Sequence, residues 1–447
     1  MTDLNKEAMS IFLETAKSLS PAAVINERIA LQGNVLLADR EQIRLSDYTE
    51  IILIGFGKAS ISMGSVLEEK LGRRITKGVL VTPRRPTVKV NSEVIIAGHP
   101  LPDSNSLIAG EAIINALRSC GEQSLVIFLI SGGGSALVES PLFEEITLED
   151  IKDLNRILIN CGASIHEINT VRKHLSKVKG GRLGFLTKDS KCIALYISDV
   201  NQGDMRSIAS NPLLPDDLTL EDFFRVIEKF GLAKKLPPSI SSLVLERQIP
   251  GLPRWVESEE RRQVNIMLIE NSDALRVAGE FARNLGYETR VDYKNVEGEY
   301  KSIARELILE LANLQEAHAN KKVCVISGGE VSCPVSGRGI GGRNQEFVLY
   351  AASLLSTSGM DNAVILSCGT DGIDGNSIAT GAILSADAIR HTSERGIDLN
   401  SYFQANDSHS FFHEFGGLVV TGPAGNNIRD LRILVAGASS TPISRSQ

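Results

Sequence analysis

The chain alternates between short runs of wholly apolar residues and longer stretches in which apolar positions recur every three or four residues. The runs Ile51–Ile54, Leu125–Ile130, Ala194–Ile197, Ile266–Ile269, Val323–Ile326 and Ala363–Leu366 have strand length and no polar face. That is the pattern of strands covered on both sides. Between them, helical spacing is read over Leu4–Ala30 with a restart at Pro21, Ser106–Ser119, Ser272–Leu285 and Gly298–Ala317. Thr147–Asp150 and Thr219–Asp222 have the spacing of capping boxes and predict two further helix starts. Strands alternating with helices predict an α/β fold built from doubly wound, mainly parallel sheets. The alternation fails around Pro237, Pro238, Pro250, Pro253 and the only tryptophan, Trp255. The expected division is therefore an N-terminal α/β domain over 1–240, a proline-rich connector over 241–262 and a second α/β domain over 263–447.

Composition narrows the picture without redirecting it. At 447 residues the chain exceeds one ordinary core, and the prior is about two or three domains. Net charge is −7 with acids and bases interspersed, so no basic nucleic-acid surface or membrane face is expected. No apolar window approaches the ~20 residues of a membrane span. The N-terminal stretch is an amphipathic helix with acidic residues and is not read as a signal peptide. Six scattered cysteines form no CxxC pair, which predicts reduced thiols and a cytoplasmic location. His409 and His413 lack the glutamate of a zinc helix, and zinc is not expected.

The candidate chemistry sits where apolar runs end. Ile130–Pro141 reads ISGGGSALVESP: a buried strand, then three glycines whose backbone can approach a ligand and turn N–H groups toward an anion. Tight packing alone explains the same glycines equally well. Lys58, Ser131–Ser135, Asp199, Asp204, Gly328–Glu330 and Asp371 all fall at such ends, which is where parallel sheets bind ligands. Acidic loops, a lysine, an arginine and glycine turns are the components of phosphoryl transfer, which needs charge neutralisation and positioning. Two look-alikes fail. Gly57-Lys58-Ala59-Ser60 lacks the leading glycine of a phosphate-binding loop, because Ile52 stands there. Gly337, Gly339 and Gly342 fit GxGxxG, but Asp361 precedes its strand where a ribose-binding acid should follow one.

Seven stretches occur together and in order: GFGKAS, AGHPLPDSNS, LISGGGSALVESP, INTVRKHLSKVKGGRL, ISDVNQGDMRSIAS, GGRNQE and CGTDGIDG. In these the chain resembles the bacterial-type glycerate 2-kinases, also called the MOFRL family, some members of which carry the name hydroxypyruvate reductase. The resemblance implies two α/β domains with the active site in the cleft between them. It implies ATP-dependent phosphorylation of D-glycerate to 2-phosphoglycerate with Mg²⁺. Lys58 is similar to the family's essential lysine and Arg343 to its essential arginine. Lys58 would stabilise charge on the transferring phosphoryl group, and the planar fork of Arg343 suits a carboxylate or phosphate. Asp199 or Asp204 would hold Mg²⁺ or take the hydroxyl proton. Asp204 is assigned the catalytic role, and Asp199 and Asp371 the metal. Ser131, Gly132, Gly133, Gly134, Ser135, Arg172, Gly328, Gly329 and Glu330 are the expected substrate or phosphate contacts. The basic run holding Arg172, Lys173 and His174 reads equally well as a solvated helix face. Asn211, Asn376, Ala424, Asn426 and Arg429 depart from the family pattern and leave the choice of hydroxy acid open. A nicotinamide-dependent hydroxypyruvate reductase and a non-catalytic ligand-binding relative are the alternatives. Sequence does not set the assembly, and a homodimer is the one considered.

Overall fold

The computed structural model describes residues 3–199, 205–255, 262–358, 360–422 and 427–438. The chain divides into two compact units. One spans Val24–Leu268, and the other combines Ile269 onward with the N-terminal segment up to Ala23.

The first unit opens with a three-stranded antiparallel meander, β1 Ile29–Gln32, β2 Val35–Ala38 and β3 Glu41–Arg44. This meander differs from the helix expected to run to Ala30. Its four-residue strands are too short for a period to register, and only the Gly33-Asn34 turn marks it. The main sheet holds β4 Glu50–Phe56, β5 Lys77–Thr82, β6 Glu93–Ile96, β7 Ser124–Ile130, β8 Lys191–Ile197 and β9 Gln263–Ile269, in the order β6-β5-β4-β7-β8-β9. The pairings from β6 through β8 are all parallel. Every residue of β7 is buried, which explains its unbroken apolar run. Both capping boxes form: Thr147 and Thr219 accept from the backbone N–H of Asp150 and Asp222, whose carboxylates return the bond. The expected connector over 241–262 begins inside a helix, Pro238–Leu245.

The second unit carries β10 Glu288–Glu299, β11 Val323–Ser332, β12 Ala363–Gly369, β13 Gly381–Ser385, β14 Leu418–Val419 and β15 Asp430–Ala436. Their order is β10-β11-β15-β12-β13-β14. Only β10 and β11 run parallel, and the remaining pairings are antiparallel. The expectation of a mainly parallel sheet is thus corrected for this unit. The physical reason lies in the connections: β12 passes to β13 through a loop without the helix that a parallel crossover requires.

One face of this sheet is covered by the helices Tyr300–Ala317 and Arg343–Ser358, through Leu307, Leu311, Phe347 and Leu355. The other is covered by Asn271–Asn284 and by the N-terminal helix Asp3–Ser18. Ala8, Ile11 and Phe12 pack there against Leu275, Ile326, Val364 and Ile433. The N-terminal helix therefore belongs to the second unit, against the expected 1–240 domain. A helix with an apolar stripe goes where an open sheet face remains, whatever its place in sequence. Among the described residues, no helix is long and apolar enough to cross a membrane.

Candidate functional site

β4, β7 and β8 are neighbours in the parallel sheet, so the segments leaving their carboxyl ends lie side by side. They deliver Lys58, the 131–135 turn and Asp199. The backbone N–H of Lys58 donates to the Gly132 carbonyl at 2.9 Å, and that of Ala59 to Ser131 Oγ at 3.0 Å. The two turns are thereby stitched together. A β-carbon on Gly132 would lie 2.0 Å from Asp199 Oδ2, so the carboxylate rests directly on the glycine turn. Gly133 is left-handed, and a side chain there would meet the His99 ring at 2.9 Å and the Lys58 stem at 3.6 Å. The glycines of ISGGGSALVESP thus admit three functional groups to one place. Asp204 lies outside the described residues.

The far end of the turn is held from the helix Ile165–His174. Ser135 Oγ lies 2.6 Å from Ser210 Oγ, which donates to Asn169 Oδ1 at 2.9 Å. Arg172 donates from Nη2 to the Ser135 carbonyl at 3.2 Å. Burial lowers its pKa, with the Glu139 carboxylate acting against that. The basic run is not a solvated face. Lys173 is 5% exposed and pairs with Asp216 at 2.8 Å, while His174 is fully buried with Nδ1 on the Thr170 carbonyl. Its ring lies 5.4 Å from that of Phe223, centre to centre, and burial lowers its pKa. Arg172 therefore orients the glycine turn, and its two neighbours anchor the helix.

The loop across from Ser135 holds three consecutive left-handed residues, Ala209, Ser210 and Asn211, with φ of 50°, 60° and 54°. Asn211, one of the departures from the family pattern, has a φ of the kind glycine adopts most freely. Its side chain is engaged in the loop: Oδ1 accepts from Leu214 N at 2.9 Å, and Nδ2 donates to Leu214 O at 3.0 Å and to Asp216 at 2.8 Å.

In the second unit, Arg343 begins a helix and donates from Nε and Nη2 to both oxygens of Asp430, at 2.7 and 2.9 Å. Its Nη1 meets Glu330 at 2.8 Å. The paired carboxylates push its pKa up even though burial opposes them. Asp374 caps the same helix, accepting from the backbone N–H of Asn344 and Gln345 at 3.0 and 2.9 Å. Asn344 Nδ2 bridges Asp374 and Asp430. Asp371 Oδ1 accepts from Ile373 N at 3.2 Å and lies with Asp430 beside Gly369.

Gly328, Gly329 and Glu330 do not form a turn at a strand end. They lie inside β11, which continues to Ser332 because β10 pairs with it past a register shift after Asp292. The Gly329 N–H is taken by Asn271 Oδ1 at 3.0 Å and the Gly328 carbonyl by Arg432. Anion capture by these two glycines is therefore corrected to a structural role, while Glu330 reaches Arg343. The fingerprint-like Gly337 and Gly339 are used in packing: a β-carbon at either would lie within 2.7 Å of the Ala405 carbonyl. His99, Asn169, Ser210, Asp374 and Asp430 carry the site's geometry without having been singled out in sequence. The first four sit inside quoted motifs, which was the available signal, and Asp430 lies in none of them.

These features define a class: a two-unit α/β protein with its polar residues gathered at strand ends and at one helix start. A family model described as a domain of unknown function, DUF4147, matches residues 7–245, and the MOFRL family model matches 323–430. The chain belongs to the glycerate 2-kinase (MOFRL) family. It is 35% identical over 401 residues to D-glycerate 2-kinase of Thermotoga maritima, covering 89% of this chain and 93% of that protein. It is 32% identical to glycerate 2-kinase of Pyrococcus horikoshii over 97% of each chain. A putative hydroxypyruvate reductase of Agrobacterium vitis is 35% identical over 86% of this chain and 99% of its own. The crystal structure of glycerate kinase from Thermotoga maritima superposes with a TM-score of 0.82 at 31% identity, over 97% of this chain and 99% of that one.

Proposed function

We propose that the chain transfers the γ-phosphoryl group of ATP to the 2-hydroxyl of D-glycerate, giving 2-phosphoglycerate. The observation that carries this reading is the gathering of Lys58, the Gly132–Gly134 turn and Asp199 at three neighbouring parallel strand ends, in a chain 35% and 32% identical to proteins named D-glycerate 2-kinase and glycerate 2-kinase. Lys58 supplies a compact positive charge for the phosphoryl oxygens, and backbone N–H groups of the turn supply further donors. Asp199 or Asp204 takes the proton from the attacking hydroxyl or holds the ion. Arg343, oriented by Asp430 and Glu330, offers a fixed guanidinium for anionic oxygens.

Mg²⁺ belongs to the proposal. Among the described residues no group of three or more metal-ligating side chains occurs. A single protein carboxylate, Asp199 or alternatively Asp371, still fits an ion that takes few protein oxygens and completes its shell with phosphates and water. Bound there, the ion would neutralise phosphate charge. We place the enzyme in the cytoplasm, in keeping with its six free cysteines.

The test is a coupled ADP assay across three- and four-carbon hydroxy acids, followed by identification of the phosphorylated hydroxyl. Glycerate-dependent ADP release with 2-phosphoglycerate as product is expected. Oxidation of a reduced nicotinamide by hydroxypyruvate without ADP formation would overturn the reading, and the packed Gly337 and Gly339 weigh against that outcome.

A further inference from the structure

Arg432 is fully buried in the middle of the second unit's sheet. In register it lies between Ser327 of β11 and Ser367 of β12. Asp430, two residues earlier on the strand, shares its face. Nη2 donates to the Gly328 carbonyl at 2.5 Å, whereas Nε and Nη1 have no hydrogen-bond partner among the described residues. The guanidinium carbon stands 5.6 Å from the Phe347 ring. Burial lowers its pKa to about 10, with Asp430 acting against this and Arg343 adding to it.

Stability gives no reason for a guanidinium here. An apolar side chain of similar volume is often as stable as a buried, incompletely paired ion, or more so. The reason lies in what Arg432 reaches. It fixes β11 at Gly328, two residues ahead of Glu330, which pairs with Arg343. It also places positive charge beside Asp430, the fully buried carboxylate that grips Arg343 through two hydrogen bonds. Both carboxylates that aim Arg343 are thus backed by one side chain.

We infer that Arg432 is a positioning residue for Arg343, acting through the Gly328 carbonyl and Asp430 to hold the Arg343 guanidinium in one orientation. The catalytic consequence rests on the glycerate kinase reading, but the orientation itself does not. Arg343 Nε–H is hydrogen-bonded to Asp430, so its exchange with solvent is slow when the grip is tight. The experiment follows that signal by NMR in arginine-¹⁵N-labelled full chain, assigned by its loss in Arg343→Lys, alongside ADP formation with glycerate.

In Arg432→Met we expect a melting temperature at or above that of the parent chain, Arg343 Nε–H exchange about tenfold faster or more, and kcat/KM for glycerate down by a similar factor. The kinetic losses of Arg432→Met and Arg343→Lys should be less than additive in the double variant. Unchanged Nε–H exchange in a folded Arg432→Met overturns the inference, and so do fully additive losses. If Arg432→Met does not fold, Arg432→Lys decides. It keeps the charge without the planar fork and should speed the exchange several-fold, and parental exchange in that variant overturns the inference equally. A parent chain that forms no ADP with glycerate removes the functional reading alone, because the exchange rates still answer the orientation question.

Discussion

Lys58 is the residue on which most of the proposed chemistry converges. Its backbone N–H is tied to Gly132 and its stem lies beside Gly133, so the residue is held against the glycine turn. Such preorganised charges contribute on the order of 10² or more to phosphoryl transfer. Lys58→Ala should therefore reduce glycerate-dependent ADP formation by at least that factor with an unchanged circular dichroism spectrum, and near-normal turnover would remove Lys58 from the mechanism. Glu346 supports a prediction of another kind. It is 2% exposed, and among the described residues neither carboxylate oxygen has a hydrogen-bond partner of normal geometry. Burial raises its pKa to about 7, although the Ser408 hydroxyl and Lys301 act to lower it. With the folded value above the unfolded one, the native state binds the extra proton between about pH 4.5 and 7. Stability should fall as pH rises through that window and stay lower above it, by roughly 3 kcal/mol. Glu346→Gln should flatten this dependence and gain on the parent chain at pH 8 relative to pH 5 in urea unfolding. A difference between the two proteins that is the same at both pH values would refute it.

At the scale of elements, the 208–216 loop shows what a departure from a family pattern can mean. Asn211 has a left-handed backbone and makes three side-chain hydrogen bonds inside the loop. Asn211→Gly should cost about 3 kcal/mol, from three lost hydrogen bonds at about 1 kcal/mol each. Asn211→Ala should cost about 1 to 2 kcal/mol more, because backbone strain joins the same loss. Equal costs in chemical denaturation would show that φ is not what selects this residue. The buried strands, the capping boxes and the glycine turn at β7 were legible in sequence because each is written within about ten neighbouring residues. The meander over β1–β3 was not, since its strands are shorter than a readable period. The antiparallel course of β12–β13 was marked only by the helix missing between Gly369 and Gly381. The surroundings of Arg343 were illegible for a different reason: Asp430 comes from 87 residues away in sequence, and nothing local to GGRNQE names it.

For the whole molecule, the pairing of the N-terminal helix with residues 269 onward makes the second unit discontinuous in sequence. The sheet of that unit has two apolar faces, and the helix Asp3–Ser18 supplies part of the cover for one of them. Phe12 is 2% exposed within the cluster formed by Leu275, Ile326, Val364 and Ile433. Glu7 adds polar ties, pairing with Lys322 at 2.9 Å and accepting from the Tyr287 hydroxyl. A Phe→Ala change in such a setting removes buried area and leaves a cavity, together about 3 to 5 kcal/mol. That loss should be felt by strands more than 300 residues away and spare strands that begin about 40 and 110 residues away. Hydrogen exchange of Phe12→Ala reads this directly, because each amide reports the opening free energy of its own cooperative unit. Protection should fall in β11, β12 and β15 while β4 and β7 keep theirs. Equal loss in both sets would mean that the chain unfolds as one unit, and unchanged protection in β11, β12 and β15 would mean that the N-terminal helix is dispensable to the sheet it covers.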